Sequence, residues 1–174
     1  MKNLFVFFLF FAFISYIDAN QIKEKTGREI LLERLALLRE KGYMFGHQDD
    51  TFYGLNWEWE LERSDILETV GDYPAIMGFD IGGIEMGNDK NLDDVPFNRI
   101  REESIKHHEK GGIVTISWHP SNPVTGGTAW DVSDHSVVNK ILNNKSKKER
   151  FLDWIKKVGD FLETLVTKDG KKFP

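Results

Sequence analysis

Two apolar runs constrain this chain more than anything else in it. Pro74-Ala75-Ile76-Met77-Gly78-Phe79 and Ile113-Val114-Thr115-Ile116-Ser117-Trp118 are continuous rather than alternating, and the second is rich in β-branched residues. The first reads as a strand covered on both faces, and the second as the clearest strand of the chain. A shorter candidate, Tyr43-Met44-Phe45-Gly46, precedes them. Helical patterns lie around and between. Leu31, Leu35 and Leu38 mark a helix over Glu29–Lys41, stopped by Gly42. Ser64 caps a helix over Asp65–Val70, ended by Gly71. Phe97, Ile100, Ser104 and His108 stripe a helix over Pro96–Lys110, closed by Gly111-Gly112. The last helix spans Lys148–Thr167, with Phe151, Trp154, Ile155, Val158, Leu162 and Leu165 on one face. Asp169-Gly170 then turns the chain, and Lys171–Pro174 reads as the approach to another strand. Strands alternating with helices imply a parallel sheet with helical crossovers, an α/β fold.

Composition enters where it narrows function. Hydrophobic residues make up 40% and charged residues 29%, values of a chain that folds. The net charge is −5 and no basic stripe stands out, which argues against nucleic acid as a partner. With no Cys, disulfides, thiolate metal sites and a cysteine nucleophile are excluded. The first residues form a distinct segment: Lys2, then an apolar run from Leu4 to Ile14, then Ala19. Residues 1–19 read as a secretory signal peptide cleaved near Ala19, so the product is secreted, extracellular or periplasmic. The run is shorter than the ~20 apolar residues of a membrane span, so no stable membrane anchor is expected. Residues 20–174 suit one domain or part of one, and fall short of the ~250 residues of a full eight-unit barrel.

In parallel α/β folds chemistry gathers beyond the carboxyl ends of the strands. His47, Gln48, Asp49 and Asp50 follow the first candidate strand, Asp80 the second, and Trp118, His119 and Pro120 the third. A neutral His119 imidazole suits a hydrogen bond to a substrate oxygen, or else to a loop carbonyl. Trp118 suits either a sugar-stacking platform or core packing. Asp80 suits orienting a hydroxyl or a neighbouring side chain, or holding loop amides. His47 suits a bracing hydrogen bond at the mouth. Asp49 and Asp50 are adjacent and so read as loop caps rather than an acid/base pair. His47, Asp49, Asp80 and His119 also form an N/O set of the kind that ligates Zn or Mn. His107-His108-Glu109 reads as a solvated helix end, because neighbours on a helix face different ways. Trp57 and Trp59 either line a cleft or cover the rim of the sheet. Gly82-Gly83 and Gly126-Gly127 lack the following Lys-Ser or Lys-Thr of a phosphate loop.

Three blocks, in order and spacing, resemble glycoside hydrolase family 26, mostly endo-β-1,4-mannanases. They are Gly46-His47-Gln48-Asp49-Asp50-Thr51 with Tyr53-Gly54, then Pro74–Asp80, then Ser117-Trp118-His119-Pro120 with Asn122-Pro123 and Gly126-Gly127. The similarity runs from about Arg28 to Pro174. It implies a (β/α)8 TIM barrel, of which this chain holds three to four strand–helix units. It also implies cleavage of β-mannan, or a related plant polysaccharide, with retention by two glutamates and no cofactor. A retaining site needs two carboxyls ~5–5.5 Å apart. Carried over by position, His119 contacts the sugar beside the scissile bond, Trp118 shapes that subsite, and Asp80 and His47 line or brace the mouth. The family's acid/base glutamate sits in a His-Glu pair on the strand that would start where Lys172-Phe173-Pro174 stops. Glu85 and Glu109 do not match either glutamate motif, so no catalytic residue and no metal ligand is assigned here. The 174 residues alone are therefore expected to be inactive and aggregation-prone, and the full-length protein monomeric. The rival expectations are a metal-dependent barrel hydrolase and a non-catalytic glycan-binding remnant.

Overall fold

The computed structural model describes residues 25–174, and the expected signal segment 1–19 lies outside them. By internal contacts the chain divides into one unit reaching to Gly42, together with Pro174, and a second unit, Tyr43–Phe173. In the first, helix α1 spans Gly27–Arg39. Its start is set by a reciprocal cap: Thr26 N–H donates to Glu29 Oε2 at 2.8 Å and Glu29 N–H to Thr26 Oγ1 at 3.3 Å. That cap moves the helix start two residues ahead of the leucine pattern.

In the second unit a three-stranded parallel sheet has the order β1 (Gly46–Gln48), β4 (Ile76–Asp80), β5 (Ile113–Ser117). A small hairpin, β2 (Tyr53–Gly54) and β3 (Trp57–Glu58), lies between the first two in sequence. Helix α2 is Asp65–Val70, α3 is Phe97–Glu109, α4 is Val137–Asn143 and α5 is Lys145–Leu162. A short 3-10 turn, Ile84–Met86, follows β4. Among the described residues no helix is long and apolar enough to cross a membrane.

The first strand differs from expectation. It begins at Gly46, where the expected one ends, and Tyr43 is 97% exposed. Pairing with β4 decides the register, Gly46 to Ile76 and Gln48 to Gly78, and aromatic content does not. β4 includes Asp80, which pairs with Ser117 of β5.

Side chains alternate across these strands. Met77 and Phe79 face a core with Phe52, Ile81, Val95, Phe97, Ile100, Phe161 and Leu165, joined by Val114, Ile116 and Trp118. Gln48, Gly78, Asp80, Thr115 and Ser117 share the opposite face, where Gln48 and Thr115 are exposed. β4 is buried from Met77 to Asp80, on both of its faces, as expected, whereas β5 sets an apolar face against a polar one. α3 meets α5 where Phe97 and Phe161 approach edge to face, 6.1 Å between centroids. α5 buries Trp154 and Phe161 and leaves Leu162 42% exposed, so its apolar face is rotated from the expected stripe. It stops at Leu162, and the chain beyond turns through an isolated bridge between Val166 and Lys172.

The carboxyl end of α3 is solvated only in part: Glu109 and Lys110 are exposed, and His107 is buried. His107, rather than His108, continues the buried row Phe97, Ile100, Ser104. Burial holds its imidazole below the ordinary histidine range, against an opposing pull from the Ala75 carbonyl. His108 stacks on Phe173 at 4.1 Å, and Glu109 accepts the Lys168 N–H at 2.9 Å.

Candidate functional site

The carboxyl ends of β4 and β5 lie side by side. Asp80, at the end of β4, is 5% exposed. Its Oδ2 sits 2.6 Å from His119 Nδ1 and accepts the Ser117 hydroxyl at 2.8 Å, while Oδ1 accepts the Gly82 N–H at 2.7 Å. A carboxylate only accepts, so His119 donates through Nδ1. Its Nε2 is left as an acceptor on a side chain that is 58% exposed. The site thus offers a fixed imidazole with one free nitrogen facing solvent, suited to a hydroxyl donor. Gly82 is required by close approach: a Cβ there would stand 2.8 Å from the His119 carbonyl oxygen.

Trp118 points the other way. It stacks on Phe151 of α5, 6.2 Å between centroids and 18° apart, and packs against the core. Its indole N–H donates to Glu85 Oε2 at 3.0 Å. Strand alternation explains this, since Ser117 and His119 share the polar face and Trp118 falls between them. Trp118 therefore backs the site from behind.

His47 is not brought to this cluster. It pairs in register with Met77, on the face opposite Gly78 and Asp80. Its Nδ1 donates to the Gln48 carbonyl at 2.8 Å and lies 3.8 Å from Asp50. Gln48 takes the inward place instead. Its side chain lies across Gly78, where a Cβ would run into Gln48 Oε1.

Asp49 and Asp50 are each 1% exposed and find different partners. Asp50 Oδ2 accepts the hydroxyl of Ser64, which also accepts the Leu67 N–H at 2.9 Å and so caps α2. Asp49 adopts a positive φ of 52°. Its Oδ2 has two long partners, Gln48 Nε2 and Tyr53 Oη, each at 3.3 Å, and its Oδ1 has none. Burial pushes this carboxyl up to about 6, and burial with the Asp49 charge pushes the Tyr53 phenol up to about 12.

The metal-ligand alternative gathers His47, Asp49, Asp80 and His119, and the sheet places His47 on the face opposite Asp80. Among the described residues no three His, Asp or Glu side chains are grouped to share an ion. Of the two tryptophans left open, Trp57 is buried with its indole donating to Asp65 at 2.6 Å, while Trp59 is 45% exposed.

Three supporting residues escape a strand-end reading. Ser117 is visible only once β5 alternation is known. Asn91 ties the loop after β4, its amide donating to the Asp80 carbonyl at 3.0 Å and its Oδ1 accepting Asp93 and Val95 N–H groups at 2.9 Å. Glu85 is fully buried. Its carboxylate accepts the Gly83 N–H at 2.9 Å, the Ser121 N–H at 2.8 Å and the Trp118 indole. Burial pushes the carboxyl up, and the bonds from Ser121 and Trp118 outweigh it, so it sits below the ordinary glutamate value. An acid flanked by glycines in an apolar loop is the one sequence signal for it. Beyond Ser121, Asn122 folds the next loop, accepting Val124 and Thr125 N–H groups at 3.0 and 3.2 Å. A cleft of about 380 Å³ adjoins this loop, lined in part by Pro120, Asp131, His135, Ile141 and Phe151.

Comparisons with known proteins give the chain a family. A β-mannanase structure from Bacteroides ovatus superposes with a TM-score of 0.80 and 44% identity, over 84% of this chain and 43% of that one. An endo-β-1,4-mannanase double mutant from Cellulomonas fimi gives 0.72 and 26%, over 85% of this chain and 34% of that one. A mannan endo-1,4-beta-mannosidase from Bifidobacterium adolescentis is 28% identical over 129 residues, 70% of this chain and 12% of that protein. The chain thus spans less than half the length of each of these relatives. The profile of glycosyl hydrolase family 26 matches residues 18–170, and the chain belongs to that family.

Proposed function

We propose that this chain is part of the catalytic domain of a secreted glycosidase that cleaves β-1,4-mannosidic bonds in mannan. Residues 1–19 are its signal peptide, and 20–174 form the opening strand–helix units of a (β/α)8 barrel. Hydrolysis proceeds with retention, through two glutamates that are not among these 174 residues. Within them lies one wall of the sugar site. His119 Nε2 accepts a hydroxyl of the sugar beside the scissile bond, Asp80 fixes the imidazole, Trp118 supports it from behind, and His47 braces the outer rim.

The observation that carries this reading is the Asp80–His119 pair at 2.6 Å, with Nε2 turned to solvent. Titration of the chain with mannotetraose tests it. His119→Ala is expected to weaken binding by about tenfold, the loss of one hydrogen bond. Equal affinity in the variant overturns the assignment of His119. Appreciable release of shorter products by the 174 residues overturns the placing of the glutamates elsewhere. N-terminal sequencing of the exported protein checks cleavage after Ala19.

A further inference from the structure

The segment Trp118-His119-Pro120-Ser121 is held at both ends by one carboxylate. Glu85 Oε2 takes the Trp118 indole N–H at 3.0 Å and Oε1 takes the Ser121 backbone N–H at 2.8 Å. His119 and Pro120 lie between these anchors. Pro120 fixes its own φ and confines His119 to extended backbone, so little freedom remains once the ends are tied. Glu85 is itself immobile. It is fully buried, its Oε2 also accepts the Gly83 N–H at 2.9 Å, and its backbone carbonyl accepts Lys157 Nζ of α5 at 2.7 Å. Asp80 orients the ring of His119, but a ring can be oriented only where its backbone stands.

We infer that Glu85 is a positioning residue for sugar recognition: by bracketing residues 118–121 it sets where His119 presents Nε2. This rests on the reading of His119 as a mannan contact. The role differs from fold maintenance alone, because the two oxygens reach the two flanks of a single exposed imidazole. A neutral amide in the same place has one acceptor oxygen and an NH2 group, so it cannot hold both flanks.

The test uses the full chain, ¹⁵N-labelled in its histidine rings, with mannotetraose as probe. In the wild type, His119 is expected to show a single neutral tautomer protonated at Nδ1. In Glu85→Gln the Trp118 indole N–H resonance moves, the His119 ring signals shift toward a tautomer mixture, and affinity for mannotetraose falls by about five- to tenfold. Trp118→Phe identifies the indole resonance. It also removes one arm of the clamp while keeping an aromatic ring, and is expected to shift His119 in the same sense by less. The inference is overturned when His119 signals and sugar affinity stay unchanged in Glu85→Gln while thermal stability drops, the mark of a purely structural acid. Should Glu85→Gln fail to fold, unchanged His119 signals in Trp118→Phe overturn it equally. Absence of mannotetraose binding by the wild type refutes the site reading, and the ring signals still decide the role of Glu85.

Discussion

At the scale of single residues, Asp49 carries the clearest pH signature. Its carboxyl is lifted to about 6 by burial, so folding takes up a proton between the ordinary aspartate value and that point. The contribution to stability is full below the ordinary value and is lost as pH rises through about 6. Asp49→Asn removes this dependence. The stability of the variant relative to wild type is expected to rise by ~2 kcal/mol between pH 4 and pH 7, read from urea unfolding at both. A constant difference would mean that the wild-type carboxyl titrates normally. Glu85 acts with opposite sign, its stabilisation present above the ordinary glutamate value and lost as pH falls through its lowered one. Gly82→Ala tests a steric constraint. Its Cβ meets the His119 carbonyl and an Asp80 oxygen, and a loss of about 1–3 kcal/mol is expected in thermal unfolding. Asp80 and His119 were each legible as residues that follow a strand, but their pairing was not. Glu85 and Ser117 were not, since a buried acid in a loop and a small hydroxyl in a strand look alike whether they support a site or not.

At the scale of elements, the signals that survived are those with local chemistry. Ser64 and Gly71 bound α2 where the sequence places them, Gly71 at φ 80°. The signals that failed depend on partners distant in sequence. β1 shifted toward Gln48 because β4 dictates its register, and that shift turned His47 away from the site. α4 went unseen because it is only 7 residues, and two of its four apolar side chains, Val138 and Leu142, stay exposed. Asn144 joins it to α5, its N–H bonding to Lys140 O at 2.8 Å while its side chain accepts the Lys147 N–H at 3.2 Å. Asn144→Ala is therefore expected to cost about 1 kcal/mol in chemical denaturation. Ser64→Ala loses a helix cap and strands the buried Asp50 carboxylate, and about 2–4 kcal/mol is expected by the same measurement. Near-equal losses in the two variants would show that Asp50 does not depend on Ser64.

At the scale of the whole molecule, β4 is the structural axis of the second unit. It is bonded to β1 on one side and β5 on the other, and Met77 and Phe79 anchor the core from it. Hydrogen exchange is expected to be slowest at the amides of Met77–Asp80 and fast through residues 123–136, whose partners are mostly local. Faster exchange in β4 than in β1 would contradict that hierarchy. The same layout bears on synthesis. Asp80, Gly82, Glu85, Ser117, Trp118, His119 and Ser121 all belong to one strand–helix–strand crossover. By Ser121 the chain contains every direct partner of His119 and of its two flanks, whereas Lys157 and Phe151 of α5, which steady Glu85 and Trp118, come later in the chain. This wall of the site can therefore begin to form from a short, continuous stretch of chain, with α5 locking it from behind afterwards.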